Sequence, residues 1–347
     1  MDQNAEILKK AIAGSLKIIE QEREKEIIMR RFGLKGRKET LEQIGERLSI
    51  TRERVRQLEK AILIRLQISA EENQIPEVLA AEKLLVRNLT EMGRVARLSD
   101  LADKVYGRKA NSSERMGICF IATFAKNLAV VEENDHYNAA VGIAEYGDSA
   151  TIKERVDEIV KKVRANKKPM TIDELDAKLN YEHPDHIAAI ASVSKLLATL
   201  NGVWGLTKWP AVNPKNIRDK IYVILEAKKE PMHFSEIARE IRESNFKRKN
   251  VTVQAIHNEL IKDPRFILIG RGIYALNTWG YKKGTIADII KMILAKAEKP
   301  LTREEIVKQV LKVRKVKETT ILLNLQNKKL FKKVGKNSYT LADTETA

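Results

Sequence analysis

Arg52, Glu53 and Gln57 stand at helical spacing within TLEQIGERLSITRERVRQLEKAIL, residues 40–63. These are side chains that read base edges. An arginine donates two parallel hydrogen bonds to guanine, a glutamine suits adenine, and a glutamate accepts from cytosine. Around them Thr51, Arg54, Arg56 and Lys60 suit the phosphate backbone, which positions a reader without carrying sequence information.

Such a set acts only if its helix is held with the opposite side buried. At 100° per residue Val55, Leu58, Ile62 and Leu66 gather on one side, away from the polar set. Ahead of it, Thr40 with Gln43 makes a capping box and Leu41, Ile44 and Leu48 share one face, so a first helix is expected over about 41–48. Gly45 is small where two crossing helices must approach. Ser49 and Ile50 form a short turn, and Thr51 caps the second helix. A charged helix taken alone is as well explained by solvation, because Arg, Glu and Gln are strong helix formers. Here the capped first helix, the glycine, the turn and the two faces agree in register, and the product is a helix-turn-helix that meets DNA.

The stretch from about Ala5 to Leu66 resembles region 4 of bacterial primary-type sigma factors. The likeness is carried by EREKEIIMRRFGL at 22–34, then TLEQIGERL and ITRERVRQLEKAIL. Taken residue by residue, the resemblance implies that Arg52, Glu53 and Gln57 face bases of an upstream promoter element, with Arg54 and Arg56 nearer the backbone. It also implies docking on the flap of the RNA polymerase β subunit.

Composition fits a nucleic-acid setting. The 347 residues carry a net charge of +17, which favours a polyanionic partner, and 43% hydrophobic residues are ample for several small cores. The charge is uneven: +5 over 1–70, −4 over 71–150, +3 over 151–215, +6 over 216–283 and +7 over 284–347. The acidic segment is the one least suited to phosphate and best suited to a protein contact or spacer role. Cys119 is the single cysteine, in the apolar run GICFIATF, so no intramolecular disulfide can form and a packing role is expected. No signal peptide and no membrane span are expected, and a reducing cytoplasm, at the nucleoid, is the anticipated setting.

Beyond residue 75 the chain repeats at roughly 65 to 70 residues. IKERVDEIVKKVRANKKPMTIDELDAKL begins at Ile152, IRDKIYVILEAKKEPMHFSEIAREI at Ile217 and IADIIKMILAKAEKPLTREEIVKQV at Ile286. Each opens with an amphipathic helix. A proline follows, Pro169, Pro231 or Pro300, and is expected to stop that helix and set up a second one carrying Glu174, Glu236 or Glu305. A third helix comes next. Each copy ends in an aromatic strand, GVWGLTKW from Gly202, GIYALNTW from Gly272 or SYTLAD from Ser338, whose glycines and alternation suggest a hairpin wing. A further, degenerate copy is expected over about Glu77 to Ile143, with Ser99 and Asp100 opening its second helix and HYNAAV in place of the wing.

Three helices and a hairpin make a winged helix. The third copy, and less closely the second and fourth, is similar to the HARE-type winged helix of the RNA polymerase δ subunit of Gram-positive bacteria. The likeness is sharpest from Trp204 to Trp209, with Tyr274 to Trp279 as its variant. The expected fold is therefore mainly α: a helix-turn-helix over 1–72, a degenerate winged helix over 75–148, and winged helices over 151–212, 216–282 and 284–343. Lys247, Arg248, Lys249 and Arg271 in the third copy, and Lys332, Lys333 and Lys336 in the fourth, are candidate phosphate contacts within denser basic runs that include Lys312, Arg314, Lys315, Lys317, Lys328 and Lys329. Trp204, Trp209, Tyr274, Trp279 and Tyr339 are expected to pack the wings rather than stack on bases.

An enzyme is not expected. His183 and His186, in EHPDH, have no further Cys or His nearby to complete a metal site. GLKGRKET from Gly33 lacks P-loop spacing, and the many carboxylates are explained by helical ion pairs. No cofactor and no small-molecule substrate are expected. The partners anticipated are double-stranded promoter DNA and RNA polymerase; the alternative is a polymerase-binding adaptor or sigma antagonist that docks on the β flap without reading sequence.

Overall fold

The computed structural model describes residues 2–179, 184–246, 248–297, 299–314, 316–335 and 337–342. His183, Lys247, Lys315 and Lys336 lie outside them. The chain divides into two compact units, Met1–Lys208 and Trp209–Ala347.

The first unit begins with α1 (Asp2–Ile18), α2 (Glu22–Arg31), α3 (Leu41–Leu48) and α4 (Arg52–Glu71). There follows α5 (Pro76–Glu91), β1 (Val95–Arg97), α6 (Leu98–Tyr106), α7 (Ser112–Phe124), β2 (Leu128–Val131) and β3 (Ala140–Ile143). It ends with α8 (Ser149–Asn166), β4 (Met170–Thr171), α9 (Ile172–Leu179), α10 (Pro184–Val193), β5 (Leu197–Leu200) and β6 (Val203–Leu206). The second unit holds α11 (Ile217–Lys228), β7 (Met232–His233), α12 (Phe234–Glu243), α13 (Val253–Lys262), β8 (Phe266–Gly270) and β9 (Ile273–Leu276). It continues with α14 (Ile286–Lys296), β10 (Leu301–Thr302), α15 (Arg303–Val313), α16 (Glu318–Leu325), β11 (Phe331–Val334) and β12 (Ser338–Leu341). The product is mainly helical, as expected, with small antiparallel sheets.

Beyond α4 one order recurs: helix, short strand, two helices, hairpin. In each sheet the last strand sits in the middle, paired with the short strand on one side and its hairpin partner on the other, as in β4-β6-β5 and β7-β9-β8. The short first strands correct the expected role of proline. Lys167 and Lys229, at φ 58° and 54°, end α8 and α11 in the left-handed conformation before Pro169 and Pro231 are reached. The prolines instead lead into β4 and β7, where an extended backbone suits them. Glu174, Glu236 and Glu305 then fold back as capping acids, accepting from the backbone N–H of Thr171, His233 and Thr302 at 2.8–3.0 Å.

The first copy forms its wing from β2 and β3, so HYNAAV does not replace the hairpin. Its leading residues instead seat the second copy. Tyr137 bridges to Ser194, the Asn138 N–H donates to the Val193 carbonyl at 2.8 Å, and the Tyr137 hydroxyl donates to Asp157 at 2.7 Å. Desolvation together with that carboxylate pushes the phenol up to about 12.

Helix α1 packs on α5, α6 and α7. A single apolar core therefore runs from Leu8 and Ala11 through Phe32, Ile62 and Leu66 to Leu85, Phe120 and Val141. It joins the helix-turn-helix to the first winged copy, and Cys119 sits half-buried against it, its thiol pushed up by burial. Trp204 and Tyr274 are buried, and Trp279 and Tyr339 pack against their modules' apolar clusters.

Candidate nucleic-acid interface

The reader is assembled from capped helices. Thr40 and Gln43 close the reciprocal box at 3.0 and 3.2 Å, and the Thr51 hydroxyl accepts from the Arg54 N–H at 3.2 Å. Ser49, at φ 54°, turns the chain between them. Gly45 faces the turn rather than a crossing helix: a Cβ there would lie 2.7 Å from the Ile50 carbonyl oxygen. Ile27, Ile44 and Val55 form the small apolar seam beneath, with Leu41, Leu48, Ile50 and Leu58 around it.

The RRFGL run holds this pair of helices in place. Arg30 bonds Glu26 and Glu39, fixing the loop before α3, and Arg31 pairs with Glu59 of α4 at 3.0 Å. Phe32 enters the core 5.1 Å from the Phe120 ring, and Gly33 turns the chain at φ 62°. Arg65 of α4 pairs with the nearly buried Glu24 of α2, and Arg23 caps the end of α3 on the Leu48 carbonyl at 2.6 Å. Sequence spacing gives no sign of the Arg31–Glu59 and Arg65–Glu24 pairs, because each joins residues far apart along the chain.

Thr51, Arg52, Glu53, Arg54, Arg56, Gln57 and Lys60 are all exposed, opposite buried Val55 and Ile62. The structure brings them together on one face. Arg56 grips Glu53 through two hydrogen bonds of 2.6 and 2.9 Å, which hold the Glu53 carboxyl below the usual carboxylate range and raise the guanidinium. Gln57 donates to the same carboxylate at 3.4 Å and accepts from Arg54 at 3.5 Å. Arg52 makes no hydrogen bond or ion pair among the described residues. The surface is a cationic ridge with one open arginine and a linked Arg-Glu-Gln set beside it.

In the third copy Arg248 and Lys249 are exposed in the loop before α13, and Arg271 occupies the two-residue turn between β8 and β9. Burial depresses the amine pKa of Lys220 on α11, which donates to the Arg248 carbonyl at 2.8 Å and so fixes that loop. A lysine buried in an apolar helix face has no signature in the sequence. In the fourth copy Lys332 and Lys333 are exposed on β11. Lys247 and Lys336 lie outside the described residues. Arg314, read from sequence as part of this basic surface, is turned inward: it donates to the Leu268 carbonyl and, at 2.8 Å, to the Gly284 carbonyl, fastening the fourth copy to the third. Its distance from its partners along the chain hid that role.

Among the described residues no group of His, Cys, Asp and Glu is arranged to hold a metal ion, and no helix is long and apolar enough to cross a membrane. The His186 ring lies 6.5 Å from the Tyr146 ring.

Comparison with known proteins places names on two of these segments. The family model for Sigma-70, region 4 matches residues 21–67. The HARE-HTH model, a helix-turn-helix domain described for ASXL and restriction endonuclease proteins, matches residues 217–279. A curated relative, RNA polymerase sigma factor sigB of Arabidopsis thaliana, is 41% identical over 61 residues, which is 17% of this chain and 11% of that protein. The chain thus joins a segment matching sigma-70 region 4 to a later segment matching the HARE-type helix-turn-helix.

Proposed function

We propose that this protein is a sigma-like transcription factor that reads promoter DNA through α3 and α4 and works with RNA polymerase, its region 4 segment docking on the β flap. One observation carries the reading: Arg52, Glu53 and Gln57 stand exposed on a single face of a helix whose other face is buried in a region 4 match. Arg52, Glu53 and Gln57 read base edges, while Thr51, Arg54, Arg56 and Lys60 engage the backbone. Winged-helix residues Arg248, Lys249, Arg271, Lys332 and Lys333 add phosphate contacts that lengthen the footprint and steepen its salt dependence. The modules act in the order 1–72, 75–148, 151–212, 216–282 and 284–343.

The second reading is the adaptor or sigma antagonist that uses the β flap alone. The Glu53–Arg56 pair favours it, since a carboxylate already gripped by its own helix offers less to cytosine. Gel shift on promoter duplex with and without polymerase separates the two. A DNA reader shifts the duplex by itself; a shift that needs polymerase replaces this reading with the adaptor.

A further inference from the structure

The four winged copies share one topology, so α7, α10, α13 and α16 hold equivalent places, each the second helix of a helix-turn-helix pair. Two of them are consumed inside the protein. A Cβ on Gly117, midway along α7, would come within 2.7 Å of Ile12 Cδ1 of α1, and exposure on that helix is confined to Ser112, Ser113 and Thr123. Helix α10 lies against β1, and a Cβ on neighbouring Gly93 would lie 2.7 Å from the Asp185 carbonyl oxygen and 2.9 Å from the Ala189 Cβ. Of its described side chains only Asp185 is exposed. On α16 the Asn324 amide is turned back on the Thr320 carbonyl at 2.8 Å, leaving two threonines and Leu323 outward.

Helix α13 differs. Gln254, Asn258 and Ile261, at i, i+4 and i+7, share one solvent-facing stripe. The Gln254 amide donates to the Asn258 carbonyl oxygen at 3.1 Å, which aligns the two amides side by side. Ile261 is 64% exposed at the end of the stripe. Cations flank it: Arg248 and Lys249 just ahead of the Thr252 cap, in the loop that buried Lys220 fixes, and Arg271 on the wing turn.

We propose that α13 is the base-reading helix of the winged array and that it reads A·T pairs in the major groove of a duplex. An Asn or Gln amide matches the N6 amine and N7 of adenine, and an exposed apolar side chain beside it matches the 5-methyl group of thymine. The flanking cations engage phosphates on either side. The proposal rests on the third copy contacting DNA. Roles within the array then differ. The first two copies are scaffold for the helix-turn-helix, with their own second helices sealed, and sequence preference enters through the third.

The full chain tests this by selection from a duplex library with a randomised centre. Wild type is expected to enrich an A·T element beyond the one that Arg52→Ala loses; Gln254→Ala combined with Asn258→Ala removes that element and keeps the other. On the selected duplex, deoxyuridine in place of thymine weakens wild type by about four-fold for one lost methyl contact and leaves Ile261→Ala unchanged. An unaltered preference in the amide variant, or equal uracil sensitivity in Ile261→Ala, overturns the proposal. A photo-crosslinking p-benzoylphenylalanine placed at Arg271 separates the two failures. No DNA adduct overturns both DNA contact by this copy and its base reading, whereas an adduct with unaltered preference overturns base reading alone.

Discussion

Replacing Arg52 with alanine separates binding from folding. The side chain is exposed and makes no hydrogen bond or ion pair among the described residues. Alanine is the stronger helix former, and the loss of a weak surface attraction to Glu53 is small. The unfolding free energy should therefore shift by no more than about 0.5 kcal/mol. Binding is different. A bidentate arginine on guanine discriminates by about 1–3 kcal/mol, which is about a 5- to 150-fold rise in Kd on the cognate duplex. On a scrambled duplex the variant loses only one diffuse charge, so most of that factor should vanish. Fluorescence anisotropy on both duplexes at one fixed salt concentration reads the ratio, and a thermal melt of the same samples reads the fold. Equal losses on the two duplexes would refute base reading by this residue, and a large drop in melting midpoint would refute the claim that the side chain is free.

Losing Lys332 and Lys333 together should weaken binding to all sequences alike and flatten the slope of log K against log salt by about 2, since each phosphate contact contributes about 0.9; an unchanged slope removes these lysines from the footprint. Gly45→Val places a Cβ 2.7 Å from the Ile50 carbonyl, so it should destabilise the helix-turn-helix by about 1–3 kcal/mol in a denaturant titration and abolish specific binding; an unaltered midpoint contradicts the packing described. Asp263, buried and gripped by Arg265 at 2.7–3.1 Å, is held below the ordinary aspartate value of 3.8. A depressed folded pKa stabilises above the unfolded value and is lost as pH falls through the folded one. Asp263→Asn should therefore melt earlier than wild type at neutral pH, with the gap closing below about pH 4; a gap that is constant with pH argues against the ion pair.

What was legible in the sequence was local. Thr40 with Gln43 and Thr51 with the Arg54 N–H are contacts three residues apart, and the Val55, Ile62 and Leu66 seam is a helical period, so both could be read directly. The wing strands announced themselves through Trp204 and Tyr274 in alternating runs. The short strands β1, β4, β7 and β10 are two or three residues long, too brief for a period, and exist only because the last strand of each copy pairs with them. Likewise Arg314 looks like any other cation in a basic run until tertiary packing brings the Leu268 and Gly284 carbonyls to it. The sealing of α7 and α10 depends on neighbours more than fifty residues away in sequence, Ile12 and Gly93, and spacing cannot report such contacts. The site differs from its expectation in one respect: Glu53 is engaged by Arg56 before any base arrives, an outcome of side-chain rotamers that residue types alone do not decide.

Promoter reading by this chain requires α4 to enter a major groove. Dimethyl sulfate modification of guanine N7 on promoter duplex, with the full chain bound and no polymerase present, measures that entry directly. Protection of a guanine in the upstream element by wild type, absent with Arg52→Ala at saturating protein, is the predicted result. A bound complex in which every guanine N7 stays as reactive as in free duplex would contradict it.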